Sequence, residues 1–242
     1  TPLYSSAASD VYKRQARGRA GHGSRLHDDN AVTKLAEAVA ALGRTRWPLR
    51  LTPTTEALLQ GLSALTGRSI DDPDALAAAA GPAEAFLRSS FRTTTNPTAL
   101  TAGYKHNVIP ERAEALIDVR VIPGTEDEVL AELQQIVGDD IEIQTVVRDI
   151  GMETPFEGEL VEAMVASLGR HDPGVPVIPY LLGAGTDNKA LAYLGITGYG
   201  FAPLRLPADL DFTGMFHGVD ERVPVESLVF GQRVLADLLR TY

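Results

Sequence analysis

Between residues 114 and 121 the chain alternates, with Ala115, Ile117, Val119 and Val121 on one face and Leu116, Asp118 and Arg120 on the other. That period of two predicts a strand with one buried side. A partner strand is expected over residues 99–107, joined to it through Ile109-Pro110-Glu111-Arg112. Upstream, Asp28-Asp29-Asn30 precedes a run in which Leu35, Val39 and Leu42 share one face and Gly43 follows, the pattern of a capped amphipathic helix over 31–42. Downstream, Pro123-Gly124-Thr125 interrupts the strand. Thr125 with Glu128 predicts a capping box opening a helix over 126–137, and Ile141, Ile143 and Thr145 alternate with Glu142, Gln144 and Val146 in a last strand. With a short strand over 16–20, the order is strand, helix, two strands, helix, strand. This is an α+β split βαβ, or ferredoxin-like, unit: an antiparallel sheet with helices on one face.

Three stretches lie outside that unit. Residues 47–92 interrupt it between its first helix and second strand. They read as helical hairpins over 55–65 and 74–80, with Gly67 and Gly81-Pro82 as stops, and are expected to be a structural insertion that enlarges this first domain of residues 16–152. Residues 1–15 carry neither a sustained period nor capping logic. They resemble a translated cloning adapter, and the reading sets them aside as a non-native-looking tail. Residues 153–242 form a different texture: helices over 157–169, 187–194 and 225–239 alternate with apolar strands over 175–182 and 196–201, with Pro224 at the entry of the last helix. That alternation predicts α/β structure with parallel pairing, but two strands make only part of a sheet.

Twenty-two basic residues against thirty-two acidic ones give a net charge of −10. A chain so acidic offers no broad cationic face to a phosphate backbone, so nucleic acid is excluded as an expected partner. No apolar run reaches the roughly 20 residues that span a bilayer, and the amino terminus has no secretory pattern, so a cytoplasmic protein without membrane contact is expected. With no cysteine, any metal must be held by His, Asp or Glu.

Candidate chemistry sits in four places. His22 lies in Gly21-His22-Gly23-Ser24, where flanking glycines let the backbone approach a ligand; a histidine bonded only to its own loop fits the same residues. Asn107 and Arg120 offer an amide donor and a planar fork, or else a turn cap and a surface partner for Asp118. Gly183-Ala184-Gly185-Thr186-Asp187-Asn188 follows a strand and opens a helix, so Gly185, Thr186 and Asp187 are candidates for holding an anionic group, or form a plain turn with Asp187 as its cap. His217 lies in Gly214-Met215-Phe216-His217-Gly218, ahead of Asp220-Glu221. His27, His106 and His171 form no metal-spaced cluster, and no Gly-x-Ser-x-Gly elbow suggests a serine hydrolase.

The Gly21–Ser24 turn, Asn107-Val108-Ile109-Pro110 and Phe216-His217-Gly218-Val219-Asp220-Glu221-Arg222 together resemble the M20 family of di-zinc amidohydrolases, which includes aminoacylases, deacylases and carboxypeptidases. The resemblance runs from about Ala16 onward. It implies a lid and dimerisation domain over 16–152 and the C-terminal part of a catalytic domain over 153–242. It implies that His22 reaches across a homodimer to the substrate carbonyl, that Asn107, Arg120 and the Gly183–Asp187 loop contact an N-acyl amino acid or small peptide, and that His217 is a zinc ligand. The family's upstream His-x-Asp, bridging aspartate and Glu-Glu pair have no counterpart here. The expected function is therefore that of a fragment of a two-zinc amide hydrolase, inert by itself. The alternative is a lid-type dimerisation or binding module that never had a metal centre.

Overall fold

The computed structural model describes residues 3–6 and 8–242. The chain opens with β1 (Leu3–Ser6), β2 (Ala8–Arg17) and β3 (Gly21–His22), followed by α1 (Ala31–Arg44). The insertion contributes α2 (Pro53–Thr66), α3 (Pro73–Ala79) and α4 (Glu84–Ser90). Then come β4 (Thr94–Ala102), β5 (Val108–Ile109), β6 (Arg112–Val121), α5 (Glu126–Val137) and β7 (Ile141–Val147). The last segment holds α6 (Glu159–His171), β8 (Tyr180–Leu182), α7 (Asn188–Ala192), β9 (Gly200–Phe201) and α8 (Val225–Thr241).

The predicted split βαβ unit is present. Its four-stranded sheet runs β4-β6-β2-β7, antiparallel throughout. Alternate residues of β6, Ala113, Ala115, Ile117, Val119 and Val121, are fully buried against Leu35 and Leu42 of α1 and Val129 and Leu133 of α5. Helix α1 is capped as the Asx cluster predicts: the Asn30 side chain accepts the Val32 N–H at 2.9 Å. The capping box expected at α5 does not form. The Thr125 hydroxyl donates to the Ile122 carbonyl, and Glu128 is drawn off by Arg50 at 3.0 Å.

The first strand is a correction. It is not a short segment over 16–20 but β2, which lies at the centre of the sheet and pairs with β6 from Ala8 to Arg17. Most of the segment set aside as a tail is thus part of the fold, apart from Thr1, Pro2 and Ala7, which lie outside the described residues. Physical oddity persists in that strand. Its inward positions are Asp10, Tyr12, Arg14 and Ala16, all buried, and the three guanidinium nitrogens of Arg14 have no hydrogen-bond partner. Burial pushes the Arg14 pKa down to about 10, and the guanidinium carbon lies 5.2 Å from the centre of the Tyr12 ring.

The insertion also differs from expectation. Its three helices share a core of Leu58, Leu62, Leu76, Leu87 and Phe91, and that core packs on Ile178 and Tyr180 of the last segment, apart from the core beneath the four-stranded sheet. Ser90 donates to the Leu181 carbonyl at 2.8 Å. At Gly61 the approach is so close that a Cβ would stand 2.7 Å from Ile178 Cγ2.

The last segment contributes β8 and β9 to a small mixed sheet, β8-β1-β9, whose central strand is β1, with β8 parallel and β9 antiparallel to it. Both strands of this segment are shorter than the apolar runs predict. Helices α6 and α8 pack together through Val161, Met164 and Leu238, with Asp237 held by Arg170 at 2.6 Å and by the Ser167 hydroxyl at 3.0 Å. Val225, Leu228, Leu235 and Leu239 of α8, with Tyr242 just after it, are exposed and recur at helical spacing beside the buried face.

Candidate functional site

The candidates separate into two groups at opposite ends of the four-stranded sheet. The first is a two-stranded arm: Gly21 pairs with Ile109 and His22 with Val108, and Gly23 donates its N–H to the Asn107 carbonyl at 2.9 Å. His22 and Asn107, far apart in the sequence, are thereby brought together. The His22 ring is exposed and its Nδ1 lies 2.8 Å from Ser24 Oγ and accepts the Ser24 N–H at 3.3 Å. A nitrogen that accepts is unprotonated, so the neutral ring carries its proton on Nε2 and has a donor to offer outward. Asn107 turns its Oδ1 inward without a partner, which leaves the Nδ2–H groups as its open donors. Periodicity gave no sign of Ser24, or of His27, whose ring lies under Gly21 with both nitrogens buried and unpartnered.

Arg120 is not in this group. It sits eight residues along β6 from Arg112, about 26 Å away at the usual rise per residue. Its fork closes on Asp118, with Nε and Nη2 at 2.6 and 2.7 Å from the two carboxylate oxygens, so the surface-pair alternative is the arrangement found. Its end of the sheet adjoins the last segment: Arg120 pairs with Ser9 and Leu182 with Ser6, only three residues apart.

Leu182 leads into the Gly183–Asp187 loop. The helix it opens, α7, has five residues, and Asp187 makes no side-chain cap. So short a helix sums little dipole. Thr186 keeps a buried hydroxyl with no partner, and Lys189, 4% exposed, pairs with Asp149 at 3.0 Å.

His217 is exposed, in a turn closed by the Gly218 N–H on the Met215 carbonyl at 2.9 Å. Its φ of 59° makes it the one non-glycine residue in the left-handed region among the described residues. A backbone of that kind costs a side-chain-bearing residue about 1–2 kcal/mol. A catalytic zinc takes about three protein ligands. Among the described residues, no group of three or more His, Asp or Glu side chains converges around His217, so the donors a zinc ion needs are not assembled by these residues alone.

Residues 9–143 match the peptidase dimerisation domain of the M20 family. The chain therefore belongs to the M20 peptidase family and carries its dimerisation domain. It is 34% identical over 149 residues to the N-fatty-acyl-amino acid synthase/hydrolase PM20D1 of Bos taurus, covering 59% of this chain and 29% of that protein. To human aminoacylase-1 it is 24% identical over 245 residues, covering 99% of this chain and 52% of the other. Among solved structures, the di-peptidase Dug1p of Saccharomyces cerevisiae superposes with a TM-score of 0.67 at 16% identity over 99% of this chain and 55% of that one. The M20 metallo-carboxypeptidase Sso-CP2 of Sulfolobus solfataricus gives 0.62 at 16%, over 99% and 59%. The chain spans about half the length, or less, of the curated relatives it matches.

Proposed function

We propose that this chain is the lid and C-terminal portion of an M20-type amidohydrolase acting on N-acyl amino acids or small peptides, and that it works as a homodimer. The observation that carries the reading is the arm on which β3 and β5 hold His22 beside Asn107. Two neutral hydrogen-bond donors at an exposed tip suit an oxygen on which negative charge develops, because donors aimed at that charge stabilise the transition state more than the ground state. His22 Nε2–H and Asn107 Nδ2–H are assigned to the carbonyl oxygen of a substrate bound by the neighbouring subunit. The second group, Arg120 with the Gly183–Asp187 loop and His217, belongs on the subunit's own side. The M20 hydrolases are metal-dependent, and His217 is proposed as one metal donor. The other ligands and the general base lie outside this chain.

Two measurements test the reading. The isolated chain should sediment at twice its 25.9 kDa mass and show no hydrolysis of N-acyl amino acids with added zinc; turnover that survives repurification and vanishes with a chelator would refute the fragment assignment. In a full-length hydrolase carrying this lid, a His22→Ala subunit mixed with a subunit lacking the general base should regain activity. Mixed dimers that form and stay silent would remove the cross-subunit role.

A further inference from the structure

We propose that Ser24 is a positioning residue for His22: its hydroxyl holds the imidazole with Nδ1 unprotonated, so that Nε2–H is the group offered to the substrate oxygen. This inference rests on the amide-hydrolase reading above, which gives His22 an oxygen to meet. A neutral imidazole has two tautomers, and the hydrogen bond made at one ring nitrogen decides which form the other takes. One tautomer presents an N–H at Nε2 and the other a lone pair. A donor stabilises an oxygen gathering negative charge, whereas a lone pair repels it. Whatever fixes the tautomer therefore decides whether this ring helps the reaction or opposes it.

Two groups of Ser24 meet the same nitrogen. Its backbone N–H reaches His22 Nδ1 at 3.3 Å and its hydroxyl oxygen lies 2.8 Å from that atom. A backbone N–H can only donate, so Nδ1 accepts from it; the hydroxyl, which could act either way toward an isolated imidazole, is left to donate as well. The turn that carries both is tied on each side. Arg25 donates its N–H to the His22 carbonyl at 3.1 Å, and Gly23 donates to the Asn107 carbonyl at 2.9 Å. Among the described residues the Ser24 hydroxyl makes no other hydrogen bond, and both side chains of the pair are exposed. A hydroxyl so placed adds little to the fold, and its effect falls on the ring.

Heteronuclear NMR of the chain labelled at histidine nitrogen is the first test, with His22 picked out from the five histidines by the signals lost in His22→Ala. At a pH where the ring is neutral, the parent should show Nδ1 at an unprotonated shift and Nε2 at a protonated one. Ser24→Ala should draw the two shifts together, reporting a change of about two- to twelvefold in the tautomer ratio, the equivalent of one net hydrogen bond. Ser24→Thr keeps the hydroxyl and should restore the parental pattern. In a full-length hydrolase carrying this lid, Ser24→Ala should lower kcat by about the same factor with KM unchanged, and Ser24→Thr should recover it. Nitrogen shifts that Ser24→Ala does not move, or a parental kcat in that variant, overturn the inference alone. A parental kcat in His22→Ala overturns both the inference and the reading on which it rests.

Discussion

The carbonyl oxygen of Asn107 receives the Gly23 N–H at 2.9 Å, and this bond fixes the tip of an arm that only two paired residues per strand otherwise hold. Gly23→Pro deletes the donor. One net hydrogen bond is worth about 0.5–1.5 kcal/mol, so the lid should still melt cooperatively and close to the parent temperature. In a hydrolase carrying this lid, the same change should lower kcat by about 100-fold, the usual cost of misplacing a catalytic donor by an ångström, with a smaller effect on KM. Steady-state kinetics beside a melting curve separate the two effects.

Arg14 should be a source of instability. It is fully buried at the centre of the sheet and its guanidinium has no hydrogen-bond partner. Replacing buried charge with an apolar side chain of similar length is commonly neutral or stabilising, by about 1–4 kcal/mol where the charge is poorly paired. Arg14→Met should therefore raise the urea midpoint with an unchanged slope. A lowered midpoint would show that the guanidinium has partners.

At Asp237, the Arg170 hydrogen bond is the main cause holding the carboxyl below its ordinary value, aided by the Ser167 hydroxyl. A carboxylate depressed in the folded state binds fewer protons there than when unfolded. Its stabilisation is thus present above the unfolded value of 3.8 and is lost as pH falls through the folded one. Asp237→Asn should lower stability at pH 7 and flatten the acid side of the stability profile, read from denaturant midpoints between pH 2 and 6.

His217→Gly should stabilise the chain by about 1 kcal/mol, because glycine adopts positive φ without the steric cost. The same change should abolish metal-dependent activity in a full-length enzyme. Higher stability with lost activity is the signature of strain kept for function. A fall in stability would instead mean that the ring makes contacts in the fold.

Legibility in the sequence followed burial. Strand β6 and helices α1 and α5 each bury one regular face, and their limits are found within about two residues of those predicted. Strand β2 was invisible because Asp10 and Arg14 occupy inward positions, which breaks the binary pattern that announces a strand. The nearness of His22 and Asn107 comes from a long-range pairing between β3 and β5 that leaves no local signal. Arg120 was ambiguous for a plain reason: a fork that suits a substrate carboxylate suits Asp118 equally well. His217 was singled out by its motif, but its left-handed backbone came only with coordinates.

The outer side of α8 bears on how the protein behaves in a tube. Val225, Leu228, Leu235 and Leu239 leave a greasy seam in water, so crowding or ammonium sulfate should drive copies together along it. Particle size by light scattering should grow with concentration for the parent and stay constant after Leu235→Lys with Leu239→Glu, leaving any pairing through the lid to be weighed alone.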